Sequence, residues 1–113
     1  MATADAKTQI IDHLNGTYAR LNNLIQRSRA TTPDERSALS ALVRARDEVR
    51  DLTRRLLDDG FQAAGADLER AGAKLAAITD KLERTKSRLD SVKAVLDLAA
   101  QVVKIASQVA MAV

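Results

Sequence analysis

The chain has 113 residues, of which 46% are hydrophobic and only 2% aromatic, with one proline and no cysteine. A chain of this length is expected to form one domain, residues 1–113, and so few turn-forming residues exclude a sheet-rich fold, which needs many reversals. The net charge of +3 comes from 18 basic residues interleaved with 15 acidic ones, so the strong single-sign charge of a typical nucleic-acid-binding protein is absent.

The first predicted helix covers about residues 4–30. Its apolar side chains recur at steps of three and four residues, which places them on one face of a helix; they are Ile10, Ile11, Leu14, Tyr18, Leu21, Leu24 and Ile25. Gly16 interrupts this helix at a cost of about 1 kcal/mol relative to alanine. A close approach by a second helix is the reason we consider for a glycine there.

The second predicted helix covers about residues 33–59 and begins at Thr32-Pro33-Asp34-Glu35. Thr32 can cap the helix, Pro33 suits the first helical position, and Glu35 can return a hydrogen bond to the Thr32 amide. Gly60 is expected to end the helix, because glycine accepts the left-handed backbone conformation that closes helices. The short connection before this helix makes it an antiparallel neighbour of the first.

The third predicted helix is long, covering about residues 66–112. One apolar residue recurs every seven positions, a repeat typical of coiled coils; the row is Leu68, Leu75, Leu82, Leu89, Leu96, Val103 and Ala110. At 1.5 Å per residue the helix would measure roughly 70 Å, against about 40 Å for each of the other two. Its second half is the more apolar and extends beyond the other helices, so something else must bury it.

The expected fold class is all-α: an antiparallel helical bundle or coiled coil of three helices with a long C-terminal helix. The alternative is a four-helix bundle with a break near residues 90–91, because Asp90 and Ser91 are both good helix caps. In the alternative the helices bury one another within the chain. In the three-helix fold the C-terminal half associates with other copies or enters a membrane.

The apolar surface of the C-terminal helix is the predicted interaction seam. It consists of Leu82, Leu89, Val92, Val95, Leu96, Ala99, Val102, Val103, Ala106, Val109 and Ala110. A narrow polar stripe occupies the remaining face, and in an assembly of inserted helices it would line a water-filled lumen. The stripe consists of Lys93, Asp97, Gln101, Lys104 and Gln108.

The polar residues do not follow the pattern of a catalytic or metal site. His13 is the only histidine, and the neighbouring Asp12 cannot orient it because consecutive helix residues diverge. Asp58 and Asp59 lack the alternating oxygen ligands of a calcium loop. We therefore expect no cofactor, no metal, no small-molecule substrate and no enzymatic activity.

The charged residues of the second and third predicted helices favour a solvated surface. Asp51 precedes Arg55 by four residues, and Asp80 precedes Arg84 by four, a spacing at which opposite charges meet on a helix. Basic residues interleaved with acidic ones in this way make nucleic-acid binding a distant third hypothesis.

The function predicted from the sequence is association: a homo-oligomer, or binding of a helical protein partner, through the apolar C-terminal helix. The alternative is a membrane-active protein, pore-forming or membrane-binding, that inserts residues 92–113. Asp97 and Lys104 oppose simple spanning, because each charge near the bilayer centre costs about 3 kcal/mol. Residues 1–7 lack the features of a secretory signal, so a cytoplasmic location is expected, with signal-less secretion or membrane association as alternatives.

Overall fold

The computed structural model describes residues 2–27, 31–61, 66–84 and 92–111, and these form four α-helices. Helix α1 covers Ala2–Arg27, α2 covers Pro33–Asp59, α3 covers Ala66–Arg84 and α4 covers Val92–Met111. The described residues contain no strand. The prediction of an all-α helical bundle is therefore confirmed, as are the bounds of the second predicted helix.

The single C-terminal helix predicted over residues 66–112 is wrong. Helix α3 ends at Arg84, and α4 packs beside α3 instead of continuing it. A straight helix over 66–112 would measure roughly 70 Å, whereas the longest dimension of the molecule is 48 Å. The structure is that of the four-helix alternative, although the break expected near residues 90–91 lies outside the described residues.

The physical reason for this correction is that the seven-residue repeat does not require continuity. Each helix packs with its own repeat: the buried row of α4, Val95, Val102 and Val109, is offset by one residue from a continuation of the α3 row, Leu68, Leu75 and Leu82. Folding α4 back removes its valines from water, and each such side chain contributes about 1.5–3 kcal/mol when buried. Burial of several valines outweighs the few helical hydrogen bonds lost at a break.

The four helices occupy the corners of a square in the order α1, α2, α4, α3. Helix α1 packs against α2 and α3, α4 packs against the same two helices, and α1 barely touches α4. Helices α1 and α2 are antiparallel, because Arg46 Nη1 donates a hydrogen bond to Asn22 Oδ1 at 3.2 Å and Leu57 shares a groove with Asn15. Helices α1 and α3 are parallel, because Gly72 lies beside Gln9 and Thr79 beside His13.

The core lies along the axis of this square and receives side chains from all four helices. Its largest members are at most 2% exposed and recur at seven-residue spacing in α2, α3 and α4; they include Ile10, Leu14, Leu21, Leu42, Val49, Leu56, Leu68, Leu75, Leu82, Val95 and Val102. Two buried threonines bond to the preceding turn of their own helices: Thr17 Oγ1 donates to the His13 carbonyl and Thr53 Oγ1 to the Val49 carbonyl, both at 2.8 Å.

The ends of α2 follow the predicted signals. The Glu35 amide donates to Thr32 Oγ1 at 3.2 Å, and the Thr32 amide donates to Glu35 Oε1 at 3.1 Å, which completes the capping box. Hydrogen bonds with Thr32, and secondarily with Thr31, hold the pKa of Glu35 below its ordinary value. At the other end, Gly60 has φ +83° and its amide donates to the Leu56 carbonyl at 3.0 Å, so a residue that tolerates positive φ stands where the helix closes.

Candidate interaction surface

Most of the predicted interaction seam is core of the single chain. Its buried members are each at most 6% exposed and are covered by the other helices; they are Leu82, Val95, Ala99, Val102, Ala106, Val109 and Ala110. Leu96 and Val103 are half-buried. Leu89 lies outside the described residues, and Val92 begins α4 but its side chain is not described.

The inference that the second half of the C-terminal helix has no partner within the chain is therefore wrong. Helices α2 and α3 both pack against α4. The predicted polar stripe is the face that α4 turns to solvent, since all five of its residues are exposed: Lys93, Asp97, Gln101, Lys104 and Gln108. Within the described residues, no helix combines the length and the apolar character needed to cross a membrane.

A polar groove between α1 and α3 contains the only histidine. Thr79 Oγ1 lies 3.1 Å from His13 Nδ1 and 2.9 Å from the Leu75 carbonyl. Sequence reasoning missed this pairing, since the two residues are 66 positions apart and meet only because α1 and α3 run parallel.

This α1–α3 groove has the character of a surface depression more than of a ligand pocket. The groove comprises two adjoining open depressions of about 290 and 610 Å³, which share Asp12, His13 and Ala76. Asp12, Arg20, Asp80 and Glu83 stand around its mouth. Among the described residues, no cluster of three or more histidine or acidic side chains has the geometry of a metal site.

Gly16 borders the same groove without any close approach by another helix. A Cβ atom built on Gly16 would meet nothing within 4 Å, and the residue is exposed. We expect Gly16→Ala to raise the free energy of unfolding by about 0.5–1 kcal/mol, because alanine loses less conformational entropy in a helix. Chemical denaturation should show this as a higher midpoint with an unchanged slope, and a lower midpoint would contradict the geometry.

A second groove, between α1 and α2, contains the one large apolar side chain that is strongly exposed among the described residues. This side chain is Leu57, which is 67% exposed. Tyr18 is the other large apolar residue of the groove, and charged or polar groups form the rest: Asn15, Arg50, Thr53, Arg54 and Asp58. A single exposed leucine is ordinary on a protein surface, so this groove has little apolar area for a docked helix.

The third groove, between α2 and α4, has a more continuous apolar floor. Leu52 and Val103 lie at its centre, where the groove encloses about 270 Å³, and both pack against the core while remaining half-exposed. Ala45 and Leu96 precede them by seven residues and are also half-buried against the core. We call this surface the α2–α4 face, defined by the floor residues Ala45, Leu52, Leu96 and Val103.

The rim of the α2–α4 face is charged on the α2 side. Glu48, Asp51 and Arg55 line the groove from α2, and Ser107 lines it from α4. Sequence analysis identified Leu96 and Val103 but not the contribution of α2. The seven-residue spacing of Ala45 and Leu52 could have indicated a second apolar row on α2. Only the packing of α2 beside α4 shows that this row lies next to Leu96 and Val103.

Ion pairs are distributed unevenly around α2. Towards α1, Asp47 pairs with Arg46 at 3.2 Å and with Arg50 at 3.7 Å. Asp51, on the rim of the α2–α4 face, pairs with Arg50 at 3.6 Å. The predicted pair of Asp51 with Arg55 is thus replaced by the pair with Arg50. The predicted pair in α3 is confirmed, with 3.2 Å between Arg84 Nη2 and Asp80 Oδ2.

No protein family, curated protein or solved structure matches this chain. The function must therefore be argued from the surfaces just described.

Proposed function

We propose that this protein is a non-enzymatic helical interaction protein, and that it associates with another helical surface through the α2–α4 face. The observation that supports this proposal is the floor of that face. Two neighbouring helices present partly buried apolar residues at seven-residue spacing, Ala45 with Leu52 on one and Leu96 with Val103 on the other. A helix docked between two helices uses this spacing, because its own apolar residues recur with the same period.

The proposal differs from the sequence-based one in the residues it assigns to the interface. The fully buried seam residues of α4 are unavailable to a partner unless the bundle opens. Leu96 and Val103 are accessible in the folded chain. At the surface their apolar neighbour is Leu52 of α2, in place of the buried seam residues of α4. No step of the proposal requires a cofactor, a metal or a reacting group.

The face is also large enough for a specific interface. At 1.5 Å per residue α2 is about 40 Å long, and two helices packed about 10 Å apart are about 20 Å wide. Helix α4 has 20 residues and is about 30 Å long, so the face is two helices wide over about 600 Å². This area is at the lower end of what each partner contributes to a specific interface.

Substitution of Val103 by lysine tests the proposal. We expect the unmodified chain to sediment above the 12.2 kDa mass of one chain as its concentration rises, and Val103→Lys to sediment as a monomer. Lysine at this half-buried site can extend its ammonium group to solvent, so the bundle is expected to fold while the interface is interrupted by a charge. Circular dichroism should show the helical content unchanged.

Leu57→Lys is the matched control, since it places the same charge on the same bundle but between α1 and α2. It should leave the mass of the assembly unchanged. A chain that is monomeric at every concentration would exclude self-association and restrict the proposal to a different helical protein. Association that Leu57→Lys abolishes and Val103→Lys does not would contradict the proposal. Repeating the measurement with detergent and with lipid vesicles tests the membrane-active alternative, which predicts binding to lipid in place of self-association.

A further inference from the structure

Four exposed charges follow the outer edge of the α2–α4 face along α2. Arg44, Glu48, Arg55 and Asp59 are separated by four, seven and four residues, so they lie on one side of the helix together with Leu52. Their signs, in order, are positive, negative, positive and negative. When the same row is followed from Asp59 back to Arg44, the signs are negative, positive, negative and positive, so each position then carries the opposite charge.

A row with this property is complementary to itself when two copies of the helix lie antiparallel. With the midpoint between residues 51 and 52 on a two-fold axis, Arg44 lies opposite Asp59 of the second copy, and Glu48 lies opposite Arg55 of the second copy. The symmetry produces each pair twice, as an isologous interface requires. A parallel arrangement in register would instead place each residue opposite its own copy, so like charges would face one another.

Within the part of the chain that the structure describes, the four charges have no competing partners. Among the described residues, none of them takes part in an ion pair or a side-chain hydrogen bond. Arg44 and Glu48 have the spacing of a helix ion pair, as do Arg55 and Asp59, yet neither pair comes within bonding distance. On the α1 side of the helix Asp47 is paired with Arg46 and Arg50, whereas Arg54 and Asp58 form no ion pair among the described residues. Asp51, close to the proposed axis, is engaged by Arg50.

We infer that the partner at the α2–α4 face is a second copy of this chain. The two copies meet about a two-fold axis near Asp51 and Leu52, with their α2 helices antiparallel. Apolar contact comes from Leu52 and Val103, and the register comes from the two kinds of charge pair. This inference rests on the proposed function, since it specifies the partner and the geometry of the same face.

Exchange of charges between two variants tests this geometry. In Glu48→Arg, residue 48 opposes Arg55 of the second copy with a like charge, and in Arg55→Glu, residue 55 opposes Glu48 in the same way. We expect the dissociation constant of each variant alone to rise about tenfold to a hundredfold, because two attractive pairs become two repulsive ones. An equimolar mixture should associate as tightly as the unmodified chain, because every facing pair in the mixed dimer is then of opposite sign.

A matched pair of reversals on α3 serves as the control. Glu69 and Lys74 are exposed, and neither lies on the α2–α4 face. Glu69→Arg, Lys74→Glu and their mixture should all associate like the unmodified chain. Thermal unfolding of each variant shows whether a loss of association reflects a loss of folding.

A single introduced cysteine measures the proximity directly, because the chain has none of its own. Asp51→Cys is expected to form a disulfide-linked dimer under mild oxidation, since the two copies of residue 51 flank the axis. Lys74→Cys, on α3, is expected to form no disulfide-linked dimer in the same reaction.

The outcomes separate this inference from the proposed function. Restored association in the mixture, with cross-linking at residue 51, supports both. If Val103→Lys abolishes association but the mixture does not restore it, the face is used in another geometry and the antiparallel inference is overturned. A chain that remains monomeric throughout overturns the inference of a second copy, and the proposed function then requires a different helical protein at the α2–α4 face.

Discussion

Removal of α4 is expected to abolish the cooperative unfolding transition. A chain ending at residue 91 loses the apolar side chains that α4 buries; they are Val95, Ala99, Val102, Ile105, Ala106, Val109 and Ala110. The four larger ones alone contribute about 6 kcal/mol or more, a large part of the 5–15 kcal/mol by which domains are stable. The truncation also leaves the inner faces of α2 and α3 open to water.

Thermal unfolding followed by circular dichroism measures this effect. We expect the truncated chain to show a broad, non-cooperative loss of helix, where the full chain shows a sigmoidal one. The control is the full chain with Lys104→Ala, which changes an exposed residue of the same helix and should unfold like the unmodified protein. A cooperative transition in the truncated chain would favour the three-helix arrangement, in which the C-terminal half is an overhang.

Val102→Asp is expected to unfold the chain near neutral pH, whereas Gln101→Asp is expected to have little effect. Val102 is 0% exposed, and the adjacent Gln101 lies on the solvent face. An aspartate at position 102 either keeps its charge at a cost of several kcal/mol or takes up a proton. Together with the lost burial of valine, the free energy of unfolding should fall by about 4 kcal/mol or more.

The pH dependence of this loss identifies its cause. Burial raises the pKa of a carboxyl group because the charged form is desolvated. The loss in the free energy of unfolding is therefore largest at pH values above that raised pKa. It becomes smaller as the pH falls through the raised pKa, because the carboxyl group becomes neutral. Denaturant unfolding of both variants at neutral and mildly acidic pH checks this expectation, and equal effects at positions 101 and 102 would contradict the packing of α4.

The C-terminal region shows why a repeat predicts helices better than it predicts their connections. The spacing of Leu68, Leu75 and Leu82 indicates which face of α3 is apolar, and the spacing of Val95 and Val102 indicates the apolar face of α4. Neither spacing depends on whether the chain continues straight or turns back between the two helices. The choice depends on the energy of packing α4 against α2 and α3, which is a property of distant residues.

The candidate interface shows the same division between local and distant information. The sequence identified Leu96 and Val103 as members of an apolar surface, and the structure agrees that they are not fully buried. Most of their predicted companions are core, because α2 and α3 cover them. The part played by Leu52 depends on α2 lying next to α4, a contact between residues about 50 positions apart in the chain.

The amino-acid sequence by itself determined the all-helical class, the bounds of α2 with its capping box and terminal glycine, and the apolar face of each helix. These features follow from interactions within about one or two helical turns, so local residues specify them. Tertiary structure alone decided the number of helices, their order around the core, the pairing of His13 with Thr79 and the surface left open between α2 and α4. Those features depend on which apolar faces cover one another, and that choice is made by packing over the whole chain.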